Sequence, residues 1–241
     1  MLLSLAAFLD RWESRVRRIG ERLGYPQAWL REFSAYRGDP RLTLEEFWCK
    51  YTRLREQEQP KLRDVTTEAE ALDFYTTSDY MLVRNLVHRR HEAWRRVLWT
   101  MKGHKGVFLE YGCGIAPISA WVRRHRPAWR YRLVDVDSPH RRYGEWRVCD
   151  AAATPYLYSM RCSVTTAIDV FEHLSDPLDV ARWLVTFLVP GGYLHWNAVR
   201  HEQAHELNLA TPEQMDAAEA YLLSALTLVW QRDNYRVSWK P

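Results

Sequence analysis

Val107-Phe108-Leu109-Glu110-Tyr111-Gly112-Cys113-Gly114-Ile115-Ala116-Pro117-Ile118-Ser119-Ala120-Trp121-Val122 is the stretch that decides the fold. A short apolar run ends in Gly112-Cys113-Gly114, and Pro117 stands where a helix begins, its missing N–H being one that a first turn leaves unpaired anyway. Ile118, Ala120, Trp121 and Val122 give that helix an apolar side, so the reading is strand, tight turn, helix. In a doubly wound sheet, ligands sit at the carboxyl ends of the strands, and glycines in a turn there let the backbone approach them closely. Nicotinamide and flavin dinucleotides require G-x-G-x-x-G. Counted from Gly112, the third place is Pro117, with a bulky ring and no N–H, which disfavours a dinucleotide.

The same alternation continues downstream. Tyr131 to Asp137, Trp146 to Asp150 and Val164 to Asp169 read as further strands. Asp176-Pro177 caps a helix carrying Val180, Ala181, Leu184, Phe187 and Leu188, Pro190-Gly191-Gly192 ends it, and Tyr193 to Ala198 resumes as a strand. A helix near 212–226 and a tail from Thr227 to Trp239, broken by Asp233-Asn234, supply a closing antiparallel pair. The expectation is an α/β, Rossmann-like, doubly wound and mainly parallel seven-stranded sheet with helices on both faces. Asp135 closes the second strand 21 residues beyond Gly114, where a carboxylate can accept both hydroxyls of a ribose lying over the glycine turn. Asp137 competes for that role, and a turn or helix cap at Ser138-Pro139 is the alternative use of either.

Upstream of residue 104 the chain reads as helix after helix. Segments 2–20, 26–36 and 43–58 look helical, Thr43 being placed to cap a helix whose third following residue is Glu46. Residues 80–102 carry Leu82, Val83, Leu86, Val87, Trp94, Val97, Leu98 and Met101 at helical spacing, with Gly103 as the stop. Residues 1–103 are therefore read as a helical N-terminal extension or cap, and 104–241 as the ligand-binding domain. With 241 residues, 47% of them hydrophobic, the chain can bury a sizeable core. No apolar run reaches the ~18 residues of a membrane helix, and the apolar start lacks the basic residues of a secretion signal. Four cysteines without a C-x-x-C pair make no disulfide framework. These features point to a cytoplasmic protein and away from a membrane; they leave the oligomeric state open.

Net charge is +4, unevenly spread: between Leu82 and Arg132 twelve Arg or Lys face two acids, Glu92 and Glu110. Such a block can attract a nucleic acid, or can form solvated helix faces; without a recognised binding fold it is weak evidence for a polyanionic partner.

The ordered series Val107 to Gly114, Leu133-Val134-Asp135-Val136-Asp137, Cys149-Asp150-Ala151, Asp169-Val170-Phe171-Glu172-His173-Leu174-Ser175-Asp176-Pro177 and Leu188-Val189-Pro190-Gly191-Gly192-Tyr193-Leu194 resembles the class I S-adenosylmethionine-dependent methyltransferases. It is closest to their small-molecule branch, which includes ubiquinone-biosynthesis-type enzymes, and covers roughly residues 104–200. The resemblance implies that Gly112 and Gly114 line the methionine part of S-adenosylmethionine, that Glu110 reaches its ammonium and that Asp135 holds the ribose. It further implies that Asp150 and Ala151 face the adenine and that Asp169 borders the reacting methyl. Ala116 replaces the third small glycine common in the family. The extension carries no family motif, so a small-molecule acceptor is implied without its identity.

Methyl transfer from a sulfonium is an in-line displacement, with a base needed for a hydroxyl or protonated amine. His173, after the fourth expected strand, is the candidate catalytic base, against the alternative of a helix-terminal histidine bonded to backbone. His201-Glu202-Gln203-Ala204-His205 formally matches the H-E-x-x-H zinc signature, with Glu213 or Glu219 as a third ligand. It falls just after the fifth strand without the apolar helix that normally carries it, so His201 and His205 are assigned instead to the acceptor pocket, with a metal that orients a hydroxyl substrate as the other use of the pair and no metal ligand assigned. Most of the twelve tryptophans and thirteen tyrosines belong to the core, although a lid bearing Tyr75, Tyr80, Trp94 and Trp99 can pack on a flat or cationic acceptor. Tyr80, one helical turn from Arg84, is counted on the substrate side. The reading is a methyltransferase acting on oxygen, nitrogen or carbon of a small molecule, with a nucleic-acid acceptor or a zinc hydrolase as the alternatives.

Overall fold

A computed structural model of the chain describes residues 28–88, 93–103, 105–148, 161–199 and 208–241. It divides into two compact units, one up to Arg53 and one from Leu54 to Pro241. In the first, α1 (Ala28–Arg37) buries Trp29, Leu30 and Phe33, and Trp29 and Phe33 meet Phe47 edge-on. Phe47 belongs to α2 (Leu44–Glu58). Thr43 caps that helix as its spacing predicts: Glu46 N–H donates to the Thr43 hydroxyl and Thr43 N–H to the Glu46 carboxylate.

The second unit opens with a short 3-10 helix, Gln59–Asp64, followed by α3 (Glu68–Thr77), α4 (Asp79–His88) and α5 (Ala93–Thr100). A capping box at Thr67 and Glu70 starts α3. The single amphipathic helix expected over 80–102 is thus described as two helices, with 89–92 outside the described residues.

Strands and helices then alternate: β1 (Val107–Tyr111), α6 (Pro117–His125), β2 (Arg130–Val134), α7 (Pro139–Val148), β3 (Cys162–Ala167), α8 (Pro177–Phe187), β4 (Leu188–Asn197), α9 (Pro212–Ala225), β5 (Thr227–Arg232) and β6 (Tyr235–Trp239). The sheet order is β2-β1-β3-β4-β6-β5. The first four strands run parallel, and β6 and β5 close the sheet antiparallel. Both faces are covered because successive β1 residues point opposite ways. Phe108 packs with Val97, Ile118, Val122 and Tyr131; Leu109 packs with Leu184, Leu194, Trp196 and Leu222. Burying each such side chain contributes about 1.5–3 kcal/mol.

Three expectations are corrected. Trp146 to Asp150 is no strand as far as it is described: Trp146–Val148 are the last turn of α7, so the sheet has six strands among the described residues rather than seven. The helix wins because Ser138 caps it through Arg141 N–H and Pro139 sits at its start, while Tyr143 and Val148 bury one side. The second strand ends at Val134, which leaves Asp135 and Asp137 beyond it. Pro190-Gly191-Gly192 lies inside β4: the helix already stops at Phe187, and the register jumps from Cys162↔Leu188 to Val164↔Tyr193 to take up the extra residues. Gly191 N–H and Gly192 carbonyl pair there with Lys240.

One buried polar network joins β4, β6 and α5. His195, fully buried, accepts at Nδ1 from the Tyr235 hydroxyl and donates from Nε2 to Thr100 Oγ1 at 2.7 Å, the threonine hydroxyl giving its own proton to the Val97 carbonyl. Every polar atom of the ring is satisfied. Burial, with Arg96 adding to it, pushes the imidazole down to about 3, so it stays neutral.

Candidate active site at the carboxyl ends of β1 and β3

From β1 the chain crosses to β2 on one side and then to β3 on the other, so the order reverses between β1 and β3, the place where doubly wound sheets bind ligands. Both strands end there in left-handed backbone. Gly112 and Gly114 have φ of 63° and 47°, and Ala116 and Asp169 have φ of 49° and 54°. For a residue with a Cβ this costs on the order of 1–3 kcal/mol, and such strain gathers at functional sites. The two turns touch: a Cβ on Gly112 would fall inside the side chain of Val170, the residue after Asp169.

Glu110 is the next-to-last residue of β1 and is 3% exposed. Its carboxylate accepts from Ser119 N–H at 2.7 Å and Ile118 N–H at 3.2 Å, two donors of the first turn of α6. Burial outweighs these bonds and pushes the carboxyl up to about 7. Asp135 lies just past β2, and its Oδ2 accepts from Gly114 N–H at 2.6 Å while Oδ1 stands 3.8 Å from His140 Nε2. Asp137, its competitor, points to solvent and pairs with Arg142. Of the two, Asp135 is the one held against the glycine turn.

Asp169 is held by Asn197 at the end of β4: Asp169 N–H donates to Asn197 Oδ1 at 2.7 Å, and Asn197 Nδ2 donates to the Asp169 carboxylate. Val170 leads into a one-turn helix, Phe171–His173, where His173 N–H donates to the Val170 carbonyl at 2.9 Å. The His173 ring lies edge-on to Tyr75, centroids 6.4 Å apart, and the same tyrosine meets His140 at 5.9 Å. Tyr75 belongs to α3. Burial, then the charge of Asp135, holds its phenol well above the ordinary range. From α4, Asn85 approaches the glycine turn: a Cβ on Gly114 would stand 3.4 Å from Asn85 Nδ2 and 3.8 Å from His140 Cδ2.

The fold therefore brings Glu110, Gly112, Gly114, Asp135, Asp169 and His173 to one rim. Tyr80 is buried at 3% exposure. Asp150, Ala151, His201, Glu202 and His205 lie outside the described residues. Glu219, weighed as a zinc ligand, is ion-paired with Arg236, and no group of three His, Cys, Asp or Glu among the described residues is placed to hold a metal. No described helix is long and apolar enough to cross a membrane. Sequence reading missed His140, Asn197 and Asn85, and it gave Tyr75 only as one lid aromatic among four. Asn85 and Asn197 matter through contacts with residues 29 and 28 positions away, and His140, five residues from Asp135, stands in no pattern that marks it.

The rim fits a group with a flat polar end. Two side-chain-free positions in left-handed backbone form a cradle, at Gly112 too tight for a Cβ, a carboxylate overhangs it, and two buried polar atoms, His140 Nδ1 and Glu172 Oε2, have no hydrogen-bond partner among the described residues.

A family model described as a methyltransferase domain matches residues 85–233, more than half of the chain. It is broader than the ubiquinone-biosynthesis branch suggested by the motifs. Among solved structures, an O-methyltransferase family protein from Burkholderia thailandensis is similar over 78% of this chain and 69% of its own, at 13% identity and a TM-score of 0.51. TnmH is similar over 80% of this chain and 70% of its own, at 11% identity and a TM-score of 0.50. Both are likenesses of fold. No curated protein matches the chain in sequence.

Proposed function

The chain belongs to the methyltransferase domain family, whose members use S-adenosylmethionine, and on that premise we propose that it methylates oxygen, nitrogen or carbon of a small-molecule acceptor. The observation that carries the reading is Asp135 bonded to Gly114 N–H over a turn whose other glycine, Gly112, has no room for a side chain. Bound there, the cofactor supplies an electrophilic methyl carried on a sulfonium. Asp135 would exchange its bond to Gly114 for the ribose hydroxyls, with His140 beside it to keep the carboxylate oriented. Gly112 and Gly114 would line the methionine portion. Glu110, both of whose oxygens already accept from α6, would fix the turn and meet an ammonium with the remaining lone pairs. Asp169, locked by Asn197, would border the methyl. On the acceptor side, His173 and Tyr75 offer an edge-to-face pair of rings, and His173 is the residue we assign to catalysis there.

The helical extension, residues 1–103, is proposed to take part in acceptor choice. Support within the second unit comes from Tyr75 and Asn85, the residues of α3 and α4 that reach the rim. Adenine contacts by Asp150 and Ala151, and acceptor contacts by Tyr80, His201 and His205, are part of the same proposal. A nucleic-acid acceptor is less favoured, because members of the basic block are engaged internally: Arg132 is 6% exposed with its guanidinium over Trp183 and Phe187, and Arg96 lies over Trp230.

Isothermal titration tests the reading. S-adenosylmethionine should bind in the micromolar range, and Asp135→Ala should weaken it at least tenfold, about 1.4 kcal/mol. Absence of binding to the native chain would remove the proposal.

A further inference from the structure

Glu172 is 4% exposed, and its Oε2 has no hydrogen-bond partner among the described residues. A buried polar atom left this way costs roughly 1–3 kcal/mol, more if charged. The packing does not require a carboxyl there. The structural part is done by the backbone, the Glu172 carbonyl accepting from Leu209 N–H at 2.9 Å and Ala210 N–H at 3.2 Å. A glutamine or leucine would keep both bonds.

Its surroundings belong to the rim. Glu172 follows Asp169 and Val170, and Val170 fills the space left by Gly112. From α3, the Tyr75 phenol feels the charges of Glu172 and Asp135 together, with Arg84 of α4 acting in the opposite sense. The charged or titratable groups around the Glu172 carboxyl are therefore Asp169 on its own segment and Tyr75 opposite, with Asp135 and Arg84 beyond that tyrosine and His173 next in the chain. Burial first, and Asp169 second, push the Glu172 carboxyl up to about 7. That is the range in which a carboxyl can exchange protons at neutral pH.

We infer that Glu172 is the proton-transfer group of this site, giving up its proton when a sulfonium enters beside it and taking the acceptor's proton when the methyl moves. The inference rests on the methyl-transfer reading above. An opposite charge nearby favours the ionised carboxyl, so a cationic occupant leaves Glu172 as a carboxylate inside a water-poor pocket. The acceptor's oxygen or nitrogen then forms its bond to the methyl carbon, and the methyl–sulfur bond breaks with its electron pair left on sulfur. The O–H or N–H proton passes to Glu172 Oε2. One positive charge disappears from sulfur and one negative charge from the carboxylate, so the step ends neutral. His173, its ring against Tyr75, orients the acceptor in this scheme.

Proton counting by titration calorimetry on the full chain tests this without an acceptor. S-adenosylmethionine and S-adenosylhomocysteine are each titrated at pH 7 in two buffers of different ionisation enthalpy. Both ligands bring the same ammonium and carboxylate, so proton exchange at Glu110 appears with both; only the first brings a sulfonium. The expected result is that S-adenosylmethionine releases roughly half a proton more than S-adenosylhomocysteine, given a carboxyl half-ionised near pH 7. That excess should fade by pH 9 and be absent in Glu172→Gln. Should the glutamine variant fail to fold, Glu172→Asp should keep the excess with a shifted midpoint. Equal release with both ligands, or an excess that survives in Glu172→Gln, would overturn the inference while the methyl-transfer reading stands. Failure of both ligands to bind the native chain would overturn both.

Discussion

Two buried polar clusters sit in the second unit, and they are built on opposite terms. Around His195, Thr100 and Tyr235 satisfy both ring nitrogens, and the backbone is ordinary strand and helix. At the ends of β1 and β3 the backbone is left-handed at four positions, two of them with a Cβ, and Glu172 and His140 keep buried polar atoms without partners among the described residues. A satisfied network rigidifies a core. An unsatisfied one costs folding free energy and persists where something other than folding uses it. The contrast sets the two clusters apart although a histidine and an oxygen-bearing partner occur in both.

The largest expected effect breaks the rim. Gly112→Ala sets a methyl inside Val170 and forces a left-handed φ on an L residue. S-adenosylmethionine affinity should fall at least ~100-fold, about 2.7 kcal/mol, as read by calorimetry; binding within threefold of native would mean that the glycine turn is not the cradle.

The complementary change, His195→Phe, should do the reverse. Removing the ring nitrogens takes away an acceptor of the Tyr235 hydroxyl and a donor to Thr100 Oγ1, at a cost of about 2 kcal/mol and a melting temperature lower by roughly 4–8 °C, with cofactor affinity within twofold of native. Loss of affinity there would merge the two clusters into one functional unit. The pH dependence sharpens the same point. His195 titrates near 6.5 when unfolded and near 3 when folded, so the unfolded chain binds more protons between those values. Its contribution is complete above pH 6.5 and is lost as pH falls toward 3, at up to about 1.4 kcal/mol per pH unit. Thermal melts should show this acid limb in the native chain and a shallower one in His195→Phe.

The smallest effect comes from a helix cap one residue beyond the Leu209 and Ala210 bonds to the Glu172 carbonyl. Thr211 caps α9 in a reciprocal box with Gln214, and Thr211→Ala should cost about 1 kcal/mol of stability with no change in binding. A measurable change in affinity would show that α9 reports to the rim.

Much of this was legible from local rules. The strand, turn and helix at 107–125, the caps at Thr43 and Asp176, and the hairpin around Asp233-Asn234 all obey spacings of a few residues. The misreading at 146–150 has a local cause too: a short run with tryptophan and valine fits a strand as well as a helix end, and Ser138-Pro139, read as a possible cap, decided it. Glu172 was quoted in a motif without being singled out, because burial without a partner is a property no spacing encodes.

By itself, then, the sequence determined most of the order of elements and the position of the glycine turn, since each depends on backbone geometry and side-chain size within one turn. Only the tertiary structure decided that Val170 closes on Gly112, that Asn197 holds Asp169, and that Tyr75 stands between His140 and His173. Those contacts join segments 28 to 98 residues apart. They exist because the crossovers of a parallel sheet deliver distant strand ends to one edge, a result of packing both sheet faces that no short window of residues contains.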